Sequence, residues 1–231
     1  MTSILDFLFP KSCLGCGKSG VYLCQNCLAK VDRPKLICPV CEKPQPFGTT
    51  HSYCQTKYSL DGLVYFFGYQ KIIREAIHKL KYRYATALID EIAKAILNEI
   101  NNRYKDTYIL FINQLKNDKP VILPIPLYWY KQNKRGFNQA SLLGEVVSKQ
   151  FNLPFNDKIL TRKKSNTSQT ELSMKEREQN VKNIFSVHTS HVPPSLLLID
   201  DVWTTGSTMK EACRVLKEAG VGKVWGMTIA R

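Results

Sequence analysis

The run LLLIDDVWTTGST at residues 196–208 constrains this chain more than any other feature. An apolar strand leads into two adjacent acids, Asp200 and Asp201. A hydroxyl-rich turn follows (Thr204, Thr205, Gly206, Ser207, Thr208), and then MKEACRVLKEAG, which has the pattern of a helix. Strand, turn and helix in that order place a helix N-terminus at the carboxyl end of a buried parallel strand. Successive backbone N–H groups there form an anion nest, and the helix dipole adds to it. The four hydroxyls supply further donors, and Gly206 permits positive φ and close approach of the backbone to a ligand. Two acids beside an anion cradle would repel the same anion, so they serve another part of the ligand. Vicinal ribose hydroxyls, or a Mg²⁺ held near them, fit that need.

This run resembles the phosphoribosyl-diphosphate-binding signature of type I phosphoribosyltransferases. The alternative is a hydrophilic strand-to-helix turn with no ligand. Other phosphate loops fit less well, because neither G-x-x-x-x-G-K-S/T nor G-x-G-x-x-G occurs in the chain.

A second kind of chemistry is concentrated at the other end. Seven of the eight cysteines lie between residues 13 and 54. Cys13-x-x-Cys16 and Cys24-x-x-Cys27 form two knuckles, and four thiolates in two knuckles match tetrahedral Zn²⁺. Cys38-x-x-Cys41 is a third knuckle, followed by Cys54. Three readings of that second group compete: a zinc site completed by His51, a degenerate half-site, or reactive or merely buried thiols. The place of a fourth knuckle cysteine holds Lys57, which cannot ligate while protonated. Cys213, alone in the last helix, reads as a small core residue.

With 231 residues, 44% of them hydrophobic, the chain can hold one α/β domain and a small appendage. The expected division is a cysteine-rich zinc-binding module over 1–58 and a transferase-like domain over 59–231. Pro-containing stretches near 34–46 are expected to separate the cysteine module from the rest of the chain. The apolar start MTSILDFLFPKSC is short, carries Asp6 and lacks a basic lead, so it does not read as a signal peptide. No membrane span is expected, and the cytosol is the expected compartment. The formal net charge of +14 favours anionic partners or a lysine-rich soluble surface.

Further along, SLDGLVYFFGY reads as a strand pair or a strand with a turn. KIIREAIHKLK and ATALIDEIAKAILNEINNRY have helical apolar spacing. VILPIPL reads as a buried strand, followed by a basic loop and a helix, NQASLLGEVVSKQF. The alternation predicts an α/β fold with a mostly parallel sheet flanked by helices. Lys134, Arg135 and Gly136 in the basic loop suit a second phosphate group at the same sheet edge as the acidic pair. Tyr128, Trp129, Tyr130 and Phe137 nearby read as base-stacking residues or as core. The polar segment carrying Arg162, Thr167, Gln169, Leu172, Arg177, Asn180 and Phe185 reads as a closing lid or a surface loop. His78 and Lys81 read as site residues or as helix surface.

Taken together, the knuckles, R-G-F-N-Q after a P-x-P strand, R-x₄-T-x-Q-x₂-L-x₄-R-x₂-N and the IDDVWTTGST ending resemble ComF-type proteins. The segment Ile77-His78-Lys79-Leu80-Lys81-Tyr82 adds to that likeness. The resemblance implies a type I phosphoribosyltransferase-like fold with a zinc-ribbon-like N-terminal module. It also implies a role in natural transformation, handling incoming single-stranded DNA inside the cell beside a helicase-like translocase and recombination proteins. If the chain turns over, the resemblance implies transfer of ribose 5-phosphate from phosphoribosyl diphosphate, with Mg²⁺, to an unidentified acceptor. Asp200 and Asp201 would then hold the ribose, and Thr204 to Thr208 the 5-phosphate. Lys134 and Arg135 would hold the diphosphate, with Arg162, Gln169 and Arg177 closing over it. Lys57 departs from the many relatives that carry a further cysteine, which leaves one zinc ion or two open.

Overall fold

The computed structural model describes residues 11–80, 85–163, 183–189 and 191–231. Among them, four strands form one parallel sheet: β1 (Gly62–Phe67), β2 (Val121–Pro124), β5 (Ser195–Val202) and β6 (Lys223–Ala230), in the order β1-β6-β5-β2. Parallel sheets covered on both faces need continuous apolar strands. GLVYFF of β1 is buried at every position, and β5 is buried from Ser195 through Ile199. The segment at 59–69 therefore contains one strand rather than a strand pair. A separate antiparallel ribbon is made by β3 (Leu160–Arg162) and β4 (Phe185–Val187).

The helices follow the apolar spacing where one face is covered. Ile72, Ile73, Ala76 and Ile77 are the buried face of the helix Lys71–Lys79. The long helix Ala85–Arg103 buries Leu88, Ile92, Ile96 and Ile100, a clean i, i+4 row. A π-helical turn, Tyr104–Tyr108, joins it to Ile109–Asp118. Gln139–Phe151 packs over β2 and β5, and Ser207–Glu218 over β6. In chain order, counting the short knuckle helix Gln25–Ala29 as α1, these are α2 (Lys71–Lys79), α3 (Ala85–Arg103), α4 (Ile109–Asp118), α6 (Gln139–Phe151) and α7 (Ser207–Glu218). Between β2 and α6 lies α5, Trp129–Arg135, where the sequence predicts only a basic loop. Its residues WYKQNKR contain no helix breaker, and it ends at Gly136. It covers no core, so it carries no apolar stripe to give it away.

The cysteine-rich segment is packed on this frame. The Glu91 carboxylate of α3 accepts from both Tyr22 N and Leu23 N at 2.8 Å. Arg33 pairs with Glu99 of the same helix at 2.6 Å. Thr49 bridges Gly62 at the start of β1. Residues 34–46 are not a separator, contrary to the expectation from sequence. Ile37 and Pro44 pair across the third knuckle, so the prolines belong to its hairpin. Among the described residues, no helix is long and apolar enough to cross a membrane.

Candidate functional site

Parallel strands align their carboxyl ends, and here β2, β5 and β6 end side by side. Pro124 is level with Ile199, and Ile125 N donates to Ile199 O at 2.8 Å. Asp200 therefore sits beside the loop that leaves β2. On the other flank, Val202 is level with Ala230, and Trp203 N donates to Ala230 O at 2.9 Å. That last bond turns the chain off the sheet. Trp203, only 2% exposed, plugs the space beneath the turn. Gly206 passes directly over the ring with φ +67, and a Cβ there would lie 2.1 Å from it. Both the conformation and the contact exclude a side chain at 206. Thr205 Oγ1 and Ser207 Oγ lie 2.8 Å apart at the mouth of the turn, and Lys210 Nζ donates to Thr205 O at 3.1 Å.

Asp200, Val202, Trp203, Thr204, Gly206, Ser207, Thr208, Met209 and Thr228 line a recess of about 30 Å³. That space takes a compact polar group, so the rest of a larger ligand would lie over the open sheet edge. The first intrahelical bond of α7 is Lys210 N to Gly206 O, so the N–H groups of Thr208 and Met209 precede the helical ladder. They are the donors an oxyanion needs.

The acidic pair is held under tension. Burial first, then the neighbouring Asp201 charge, pushes the Asp200 carboxyl well above the usual range. The Asp201 N–H, which donates to Asp200 Oδ1 at 2.9 Å, and the Arg162 guanidinium pull it back only in part. Arg162 closes β3 and stacks over Phe185 of β4 at 5.7 Å. Its Nε is buried and has no hydrogen-bond partner among the described residues. Of the polar segment, Arg162 thus lies within electrostatic influence of Asp200. Thr167, Gln169, Leu172, Arg177 and Asn180 lie outside the described residues, as does Lys81.

Lys134 and Arg135 form the last turn of α5, at the same sheet edge. Lys134 is exposed, and Arg135 Nη1 donates to Gln139 Oε1 at 3.3 Å. The neighbouring Asn138 is structural: Oδ1 caps α6 through Ala140 N, and Nδ2 donates to Ile125 O, both at 3.0 Å. Trp129 and Tyr130 are 60% and 59% exposed and meet edge to face at 6.0 Å. They are surface, not core. His78 is an exposed residue of α2.

The cysteines gather into two groups, Cys13-Cys16-Cys24-Cys27 and Cys38-Cys41-His51-Cys54, each with its ligand atoms within 4.8 Å of one another. Two sulfurs on one tetrahedral zinc lie about 3.8 Å apart. Cys16 Sγ and Cys24 Sγ are 3.7 Å apart, and His51 Nδ1 is 3.4 Å from Cys41 Sγ and 3.9 Å from Cys54 Sγ. Both donor sets therefore fit zinc, and the second is completed by His51. Tyr53 stacks on the His51 ring at 4.8 Å and 9°, holding its face. Burial raises the Cys13 thiol, but backbone N–H donors and Cys24 together bring it down to about 6, whereas hydrogen bonding with Cys24 and burial push Cys27 up to about 12. A divalent cation held by these four sulfurs would supply the charge that ionises them together. Cys213 has no such company. Burial pushes it up to about 12, as suits an inert core thiol.

The comparisons with known proteins show the same two-part plan. The model of the double zinc ribbon domain matches residues 4–56, and that of the phosphoribosyl transferase domain matches residues 138–230. Competence protein F of Haemophilus influenzae is 42% identical over 123 residues, 51% of this chain and 53% of that protein. Competence protein ComFC of Bacillus subtilis is 27% identical over 210 residues, 86% of this chain and 79% of that protein. The chain is similar to ComF-type proteins in both its zinc-ribbon and its phosphoribosyl transferase segments. DNA utilization protein YhgH of Escherichia coli is a further relative, 26% identical over 208 residues and 87% of each chain. The match to the Haemophilus protein spans about half of its length.

Sequence reasoning missed Trp203 as the floor of the turn, Glu91 as the clamp on the first knuckle, and Tyr53 as the support of His51. An aromatic three residues before a turn glycine is the one local signal that marks such a floor. Glu91 meets the first knuckle across a separation of 69 residues that no local pattern encodes, whereas Tyr53 lies only two residues from His51.

Proposed function

We propose that this chain binds phosphoribosyl diphosphate at the carboxyl edge of β2 and β5 and handles incoming single-stranded DNA in the cytosol. Relatives named for competence and for DNA utilization support a role in DNA uptake. Residues 1–58 act as a module holding two zinc ions, and 59–231 as the ligand-binding domain. The observation that carries the reading is the turn itself. Gly206 lies flat on Trp203, so the N–H groups of the α7 N-terminus face the recess beside Asp200.

Each group has a defined task. The amides and hydroxyls of Thr204 to Thr208 receive the 5-phosphate. Asp200 and Asp201 accept from the ribose hydroxyls, and ligand binding offsets their mutual repulsion. Lys134, Arg135 and a Mg²⁺ travelling with the ligand neutralise the diphosphate. Arg162, whose charge is felt at Asp200, joins the lid residues Gln169 and Arg177 on the same anion. Trp129 and Tyr130, beside Lys134 and Arg135, offer stacking faces next to phosphate-binding cations. A groove between the first knuckle and α3, lined by Lys11, Lys18 and Lys94, adds a second cationic surface for the strand.

A second reading is favoured by the acidic pair. Two carboxylates against the ribose stabilise positive charge on the sugar as the bond from C1 to diphosphate breaks. Diphosphate leaves with the electron pair, and an acceptor nucleophile bonds to C1. The chain would then be an active phosphoribosyltransferase. Release of diphosphate from phosphoribosyl diphosphate in the presence of nucleobases, amines or oligonucleotides separates the readings. Turnover selects the transferase, and saturable binding without turnover selects the binding protein. Replacing both acids by asparagine should abolish ligand binding and leave DNA binding in place.

A further inference from the structure

The side chain of Glu42 links the second metal group to the proposed anion site. This residue directly follows Cys41 and is fixed at φ +58 by the knuckle. Glu42 N donates to Cys38 O at 2.9 Å, and Cys38 N to Lys43 O at 3.0 Å. Its carboxylate leaves the module and spans two cations of the other domain. Oε1 accepts from Lys210 Nζ at 3.2 Å, and Oε2 from Arg231 Nη2 at 3.4 Å. The Lys210 ammonium also donates to Thr205 O at 3.1 Å and sits over the Trp203 ring at 5.3 Å. It therefore holds both the carbonyl that shapes the turn and the ring that supports Gly206. Arg231 is anchored in turn, since Arg231 N donates to Phe67 O at 3.0 Å and its carbonyl accepts from Tyr69 N at 2.8 Å.

We infer that Glu42 is a positioning residue through which the Cys38-Cys41-His51-Cys54 centre sets the geometry of the phosphate turn. Four ligands on one ion fix the knuckle, the knuckle fixes the Glu42 backbone, and the carboxylate orients Lys210 against Thr205 O. With the carboxylate gone, Lys210 loses its anchor and the turn its fixed curvature. The inference rests on the anion site proposed above. Because binding linkage is reciprocal, a metal that tightens anion binding is itself held more tightly when the anion is bound.

The test uses the full-length chain loaded with zinc, titrated calorimetrically with phosphoribosyl diphosphate and excess Mg²⁺. E42Q keeps the shape of the side chain and removes its charge. It should weaken binding roughly fivefold or more, the low end of ordinary coupling between sites. Zinc content and melting temperature should remain those of the wild type. K210M should weaken binding similarly, and the double variant no more than either alone. In a parallel competition with a colorimetric zinc chelator, saturating ligand should raise retention of one zinc ion in the wild type and not in E42Q. Unchanged or tighter binding by E42Q overturns the inference alone, as does ligand-independent zinc retention in the wild type. A folded wild type that binds no ligand overturns the anion-site reading and this inference with it.

Discussion

At the scale of single residues, Gly206 and Asp200 make opposite demands on the fold. Gly206 is required by shape. Alanine there meets both a left-handed backbone and the Trp203 ring, and should cost roughly 2–4 kcal/mol. Thermal or denaturant unfolding of G206A measures this directly. Asp200 is costly by charge. Its carboxyl is raised above the 3.8 of an ordinary aspartate, so the folded chain holds that proton more tightly than the unfolded chain does. The stabilising contribution is complete below 3.8 and is lost as pH rises through the higher folded value. D200N never ionises, so it should melt above the wild type at pH 8, with the gap closing toward pH 4. Thermal melts across that range check the sign. The acidic pair and the Thr204–Thr208 turn were legible in the sequence, because strand, acids, hydroxyls, glycine and helix are contiguous. Glu42 was not, since its role appears only where residues far apart in sequence meet, and Trp203 left only the local mark of an aromatic three residues before the glycine.

At the scale of elements, α5 is the clearest difference between sequence and structure. A helix that buries no face leaves no period-3.6 signal, and its only local mark is the glycine that ends it. Seven residues fold into a platform with two large aromatics outward and two cations at its end. W129A should weaken single-stranded DNA binding about tenfold, as expected for one lost stacking partner. K134A should flatten the dependence of affinity on salt by about 0.7 in logarithmic slope, as expected for one phosphate contact. Fluorescence anisotropy with a labelled oligonucleotide at several salt concentrations reads both. The knuckles show the reverse case. Cysteine spacing groups the first four thiols in the sequence itself, whereas His51 joins Cys38, Cys41 and Cys54 only through the fold, which brings Nδ1 to 3.4 Å from Cys41 Sγ.

At the scale of the whole molecule, the two modules share one continuous apolar core, from Cys13 and Leu23 through β1 and α3 to Ala230. The alternation of strands and helices made the parallel sheet readable, but this shared core was not, because it depends on how the modules dock. Two zinc ions per chain are expected by metal analysis, and C24S and C54S should each lose one. Chelation should expose residues 11–58 to protease and lower the melting temperature of the entire chain, because the knuckles cover α3 and the start of β1. The decisive measurement is isothermal titration of the zinc-loaded chain with phosphoribosyl diphosphate and Mg²⁺. Saturable binding at one site per chain, abolished by joint D200N and D201N substitution in a protein that still melts cooperatively, is the expected result. A folded wild type with both zinc ions in place and no saturable heat would contradict it.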